Sequence, residues 1–253
     1  MKISKKQIKE IIEEELYGLV NEAPPKDADE FGNRFPIKLS TVDPDSAKDN
    51  VTKGDKDFDG EEADDIIQVD RSFSTPVSNL KPSQSSMNIG KAMGMAIGMM
   101  MGSEAGGMDP GGKLGAFISE DDYIMDGHHR WIATAMVDPS KEVVGFKVAF
   151  PGKELIAVLN AMTAGQFGIT KGKQGSGGFD QFEEGPIRKQ LEIYAREGTP
   201  GKFGKSPEFV ANAIEKFTGK SVEQGGIDAA VEKMVSNLNS VKPFTLPSGA
   251  SRS

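Results

Sequence analysis

The chain contains no cysteine and only two histidines among its 253 residues. The absence of cysteine excludes disulfides, thiolate metal centres, cysteine nucleophiles and thiol redox chemistry. The two histidines are adjacent, His128 and His129. A zinc site would therefore need carboxylates to complete it, and neighbouring imidazoles can reach one metal in few geometries. Apolar residues make up 37 %, low for a chain of this length packed throughout, so part of it is expected to lie outside a core. No apolar run approaches the roughly 18–20 residues that span a bilayer. Lys2, Lys5 and Lys6 open the chain, but Glu13-Glu14-Glu15 stand where a secretory signal has its apolar segment, and the protein reads as intracellular.

A basic surface is also lacking. The net charge is −8, and residues 23–70 account for it with 14 acidic and 6 basic groups. Residues 71–253 balance 19 acidic against 20 basic, so charge does not favour backbone-driven binding to nucleic acid.

The order along the chain predicts six regions. Residues 1–22 form an amphipathic helix, with Ile8, Ile12, Leu16 and Leu19 on one face and Lys6–Glu10 and Lys9–Glu13 pairs on the other. Such a helix is marginal alone and needs a partner surface or serves as an address. Pro24-Pro25 ends it. Residues 23–65 are acidic, aperiodic and poor in aliphatics, the composition of a disordered linker. Within them Asp55, Asp57, Asp59 and Gly60 have the spacing that opens a calcium loop, but Ile66 stands where that loop needs a bidentate Glu.

Residues 66–162 hold the predicted core. Ile66–Val69 is strand-like and Thr75–Pro82 extended. A helix over 87–102, capped by Ser85 or Ser86, carries Gly90, Gly94, Gly98 and Gly102 at every fourth place, among seven methionines between 87 and 108. A glycine stripe lets another backbone approach, and methionine packs adaptably, which suits a core helix against a sheet or a mobile binding surface. Leu114–Ile118 and Tyr123–Met125 form a hairpin around Glu120-Asp121-Asp122. A helix from Trp131 to Val137, a strand from Val143 to Phe150 and a helix from Glu154 to Met162 follow. Residues 163–180 are glycine-rich and fit no P-loop register, so they read as a linker or lid. Residues 181–241 form a helical appendage, in which Ser206-Pro207-Glu208 is a strong helix start. Residues 242–253 are a loose tail. The fold class is α+β: a small mixed sheet with helices, a helical C-terminal region and a largely disordered N-terminal linker.

Chemistry concentrates in Asp126-Gly127-His128-His129-Arg130, between a strand and a helix. Glycine allows a sharp turn, and the helix start offers N–H groups and a positive dipole end. Arg130 supplies a fork for phosphate oxygens, and the imidazoles can donate or shuttle protons. Asp126 can hold magnesium, accept a proton or orient an imidazole. These types favour a phosphorylated ligand. The alternative is a polar turn whose Asp caps the helix.

The stretch Thr75–Gln84, a helix, a hairpin and then Tyr123-Ile124-Met125-Asp126-Gly127-His128-His129-Arg130-Trp131 resembles the ParB N-terminal-like/sulfiredoxin superfamily over roughly residues 66–162. The resemblance implies a nucleotide-binding fold, with Gly127, His128, His129 and Arg130 contacting phosphate, ATP or CTP as the nucleotide and Mg2+ with it. Reductase members have Cys where this chain has His128, which excludes that branch. Centromere-binding members add a basic helix-turn-helix, which the segments after 181 do not match. A phosphotransferase, ATPase or nuclease-like member remains, as in the free amino-acid kinases, with Asp126, His128 and His129 as candidate catalytic groups and Asp126 as candidate metal ligand. Glu120, Asp121 and Asp122 are weaker candidates for an acidic base.

Residues 1–22, ending Leu19-Val20-Asn21-Glu22-Ala23, also resemble the capsid-targeting leaders of proteins packaged in tailed-phage heads, which are removed after a Glu. That resemblance implies capsid proteins as partners, a place in the host cytoplasm or the virion, and an alternative role as a head-interior interaction protein. An ordinary partner-docking helix explains the same pattern.

Overall fold

The computed structural model describes residues 43, 45, 69–84, 87–149, 151–168, 178–201 and 204–241. The predicted helix over 1–22, nearly all of the linker over 23–65, the glycine run 171–177 and the tail 242–253 lie outside the described residues. The rest is an α+β fold. Five strands, β1 (Val69–Pro76), β2 (Lys81–Pro82), β3 (Gly112–Ile118), β4 (Tyr123–Ile124) and β5 (Glu142–Val148), form one mixed sheet in the order β1-β5-β3-β4-β2. The β1–β5 and β3–β4 pairs are antiparallel, and β3–β5 and β2–β4 are parallel. Six helices accompany it among the described residues: α1 (Ile89–Met101), α2 (His128–Val137), α3 (Gly152–Phe167), α4 (Glu184–Glu197), α5 (Pro207–Thr218) and α6 (Gly226–Asn239). None is long and apolar enough to cross a membrane.

The predicted β3–β4 hairpin forms. Its turn closes through Asp122 N–H to Ser119 O (3.0 Å) and Ser119 N–H to Tyr123 O (2.9 Å). Of the predicted strand over Ile66–Val69, residues 66–68 lie outside the described residues and Val69 opens β1, which takes in Thr75 and Pro76, after which Val77–Asn79 make one 3-10 turn. β1 is an edge strand, and a register shift between Asp70 and Phe73, where the Asp70 carboxylate accepts from Ser72 N–H and Oγ–H, breaks the ladder that another strand could join.

The methionine-rich helix is a core helix, as one of its two readings had it, but its neighbours are helices. Ala92, Met93, Ala96 and Ile97 are fully buried, and α1 packs on α2, α4 and α5. The glycine stripe itself admits no close backbone: a Cβ on Gly98 would meet only the Met108 side chain, and the glycine that a close approach requires is Gly107. Gly98 O accepts from Met108 N–H (2.9 Å), and a Cβ on Gly107 would collide with that carbonyl. Gly94 has nothing within 4 Å, and Gly90 faces the Tyr194 hydroxyl, which donates to its carbonyl. The helix is capped by Asn88, whose Oδ1 accepts from Lys91 N–H (2.8 Å), in place of Ser85 or Ser86.

The C-terminal helices share this core. Ile187, Leu191, Val210, Ile214, Ala230 and Met234 join Ile97, Trp131, Ile118 and Val143 in one hydrophobic cluster. Ser206 caps α5 as predicted, accepting from Phe209 N–H (3.2 Å). Helix α3 runs to Phe167, into the region expected to be loop, and ends on Gly168. It belongs to a second layer. Tyr123 and Met125 flank core-facing Ile124 and therefore point to the opposite sheet face. Tyr123 and Met125 are buried outside the main cluster, as are Val148 and, on α3, Leu155, Ile156 and Ala164, and the Tyr123 ring lies against Gly152 at the start of α3.

Because α5 and the sheet share one cluster, Ile214→Ala removes about 2–5 kcal/mol from a single unfolding transition. Urea titration followed by far-UV dichroism and by Trp131 fluorescence checks this. Coincident curves are expected, and a helical transition that leaves Trp131 undisturbed would refute a shared core.

Candidate functional site

Strands β2 and β4 run parallel, and the chain leaves both at the same end of the sheet. From β2 it passes through Ser83 to Asn88 and enters α1. From β4 it passes through Met125 and Asp126 to Gly127 and enters α2. Gly127 takes φ +80° as the N-cap of α2, a left-handed conformation that side chains disfavour. No side chain caps this helix, so the reading of Asp126 as its cap does not describe the turn; instead Asp126 Oδ1 accepts from Gly127 N–H (2.7 Å), with the carboxylate exposed.

The two histidines face the other segment. Ser83 N–H donates to His128 Nε2 (3.1 Å), and Ser83 Oγ lies 3.2 Å from the same nitrogen while donating to Ile124 O (2.5 Å). An amide can only donate, and the hydroxyl proton is spent on Ile124, so Nε2 is the acceptor and His128 is neutral with its proton on Nδ1. The residue is 2 % exposed. Five residues on, Asn88 N–H donates to His129 Nε2 (3.2 Å), which fixes the same tautomer. Burial, then the charge of Lys91, lower the His129 pKa from 6.5 against the opposing pull of Asp126. Consecutive imidazoles thus clamp both ends of the segment that joins β2 to α1.

Arg130 takes no part in the clamp and bonds to a third segment. Its Nε–H (3.0 Å) and Nη2–H (2.8 Å) both donate to Gly111 O, and Gly111 N–H donates to Thr134 Oγ1 one helical turn further on. Arg130 has no carboxylate partner among the described residues, and three of its five N–H groups remain unused there.

The result is two helix N-termini held side by side by the Asn88–His129 bond. Neither α1 nor α2 has an acid in its first turn; Lys91 and Arg130 occupy the third positions. By contrast α4, α5 and α6 carry Glu184, Glu208 and Asp228 in theirs, the usual match to the helix dipole. The amides of Ile89, Gly90, His129 and Arg130 have no hydrogen-bond partner among the described residues.

The weaker acidic candidates stand elsewhere. Glu120, Asp121 and Asp122 occupy the opposite end of β4. Asp121 accepts from Ser119 Oγ–H and from Gly152 N–H at the start of α3, and Asp122 pairs with Lys147 (2.7 Å). No group of three His, Asp or Glu side chains suited to a metal occurs among the described residues.

Sequence reasoning found the turn but missed Ser83, Asn88 and Lys91. Lys91 had a signal: a lysine in the first turn of a helix opposes the dipole and calls for a reason. The chain matches no protein-family model, no curated protein and no solved structure.

His128→Ala strands the buried Ser83 amide and lowers stability by about 1–3 kcal/mol, measured by urea denaturation at pH 7.5. For His129 the folded-state pKa lies below the unfolded value. Its contribution is complete above pH 6.5 and is lost as pH falls through the lowered folded value. His129→Gln, which keeps an acceptor for Asn88, flattens the fall in denaturation midpoint between pH 7.5 and 5; an unchanged slope would refute the assignment.

Proposed function

We propose that the chain binds a nucleotide, ATP or CTP, with its phosphates at the joined N-termini of α1 and α2, and acts as a ParB/sulfiredoxin-like phosphotransferase, ATPase or nuclease-like protein. The observation that carries this reading is the pair of cations, Lys91 and Arg130, placed against two converging helix dipoles without an acid in either first turn. That arrangement is self-repelling, and an anion relieves it.

The donors at hand are the four unpartnered amides, the Lys91 ammonium and the unused N–H groups of Arg130. His128 and His129 act as positioning residues here: as neutral acceptors they hold Ser83 and Asn88 so that the two helix ends stay together. Arg130 also anchors the Gly111 turn, which fixes its guanidinium as a rigid donor.

Magnesium fits this donor set in a limited way. Asp126 is the exposed carboxylate of the turn, and one carboxylate with phosphate oxygens and water is an ordinary magnesium environment. A bound magnesium ion would neutralise phosphate charge. With both Nε2 atoms occupied, Asp126 is also the group of the turn best placed to accept a proton.

Titration calorimetry with ATP and CTP, each with magnesium, tests the proposal. Lys91→Ala weakens binding about ten-fold while raising the unfolding midpoint of the free protein, because it relieves the repulsion, and Arg130→Ala weakens binding further. Asp126→Ala abolishes the magnesium dependence. Absence of heat with either nucleotide at millimolar concentration would overturn the reading.

A further inference from the structure

The sheet face that carries α3 continues into an apolar strip which the described residues leave open. Val69 pairs with Val148, and Phe117 pairs with Phe146, so alternation places all four on this face. Val148 is buried, but Val69, Phe117 and Phe146 are 38 %, 44 % and 39 % exposed, and the two rings lie 6.0 Å apart. Phe167, at the end of α3, is 74 % exposed. These are the exposed large hydrophobic side chains among the described residues, and three of the four occupy neighbouring strands. An open cleft of about 690 Å³ adjoins Val69 and is lined also by Arg71, Glu120, Lys147, Val148 and Ala149. Contiguous apolar surface of this kind marks an interaction site.

We propose that this strip is the docking site of the chain's own N-terminal segment, residues 2–22. Three observations select that occupant. The segment has one apolar face, Ile8, Ile12, Leu16 and Leu19, and a helix of its length needs a surface to lie on. The chain leads from it into the fold at Val69, which is itself part of the strip. A chain of about 46 residues, the number between the segment and Val69, would span roughly 35–40 Å if flexible, enough to reach any point of the strip. Tethering at that length holds the segment at millimolar effective concentration, so a weak apolar contact suffices. Charges of both signs border each surface: Lys6, Lys9, Glu10 and Glu13 on the segment, and Arg71 and Glu120 at the cleft beside the strip.

Hydrogen exchange of the full chain, read by mass spectrometry, tests this. Amides of residues 8–19 are expected to exchange at least about ten-fold more slowly than an unstructured peptide, independently of protein concentration. Two variants should remove the protection: Phe117→Ser with Phe146→Ser on the sheet, and Ile12→Lys with Leu16→Lys on the segment, the second of which leaves the core untouched. Unchanged Trp131 fluorescence confirms that the fold persists. Absence of protection in the parent chain, protection that survives either double variant, or protection that grows with concentration alongside a doubled mass would each overturn the proposal, the last by naming a second copy as the occupant.

Discussion

Two hydrogen bonds from backbone amides to neighbouring imidazoles hold the arrangement on which the rest of the structure depends. Ser83 and Asn88 mark the ends of the segment between β2 and α1, and both give their N–H to the first turn of α2. Ser83 is buried, and a buried amide without a partner costs about 1–3 kcal/mol, so His128 satisfies a demand that the sheet leaves open, while the Asn88 bond to His129 is exposed. Because the two imidazoles are consecutive in a helix, they cannot move separately. The start of α1 is therefore set relative to α2, and α4 and α5 assemble on α1.

This clamp brings together groups that repel. Each helix start carries roughly half a positive charge, and Lys91 and Arg130 add full ones. The repulsion is tolerated because the same two helices bury Met93, Ala96, Ile97, Trp131 and Ile132 in the common cluster. It also explains why the imidazoles stay neutral: a protonated His129 would lose the Asn88 bond and add a further charge beside Lys91. The chemistry of the site thus depends on core packing some distance from it, and an anion at the helix ends would relieve electrostatic cost already present in the fold.

Local signals in the sequence located much of this. The Ser206-Pro207 start, the hairpin of β3 and β4 and the turn around Gly127 follow from residue types and spacing, and the structure contains them. The cap of α1 was not legible, because Ser85, Ser86 and Asn88 are all competent caps. The choice of Asn88 accompanies its contact with His129, 41 residues away in sequence. The same holds for Arg130, whose hold on Gly111 is a tertiary contact with no local trace. Periodicity marked the C-terminal helices as amphipathic but said nothing of where their apolar faces go, and they join the central cluster. The acids of the hairpin turn sat close to the site in sequence, yet two residues of strand suffice to carry them to the other end of β4.

The central claim is that both histidines are neutral hydrogen-bond acceptors joining two helix ends. Nitrogen-15 NMR of the imidazole rings at pH 7.5 tests it most directly. The account predicts that both rings carry the proton on Nδ1, with Nε2 resonating as an unprotonated acceptor. A proton on Nε2 of either ring, or an imidazolium signal, would contradict it.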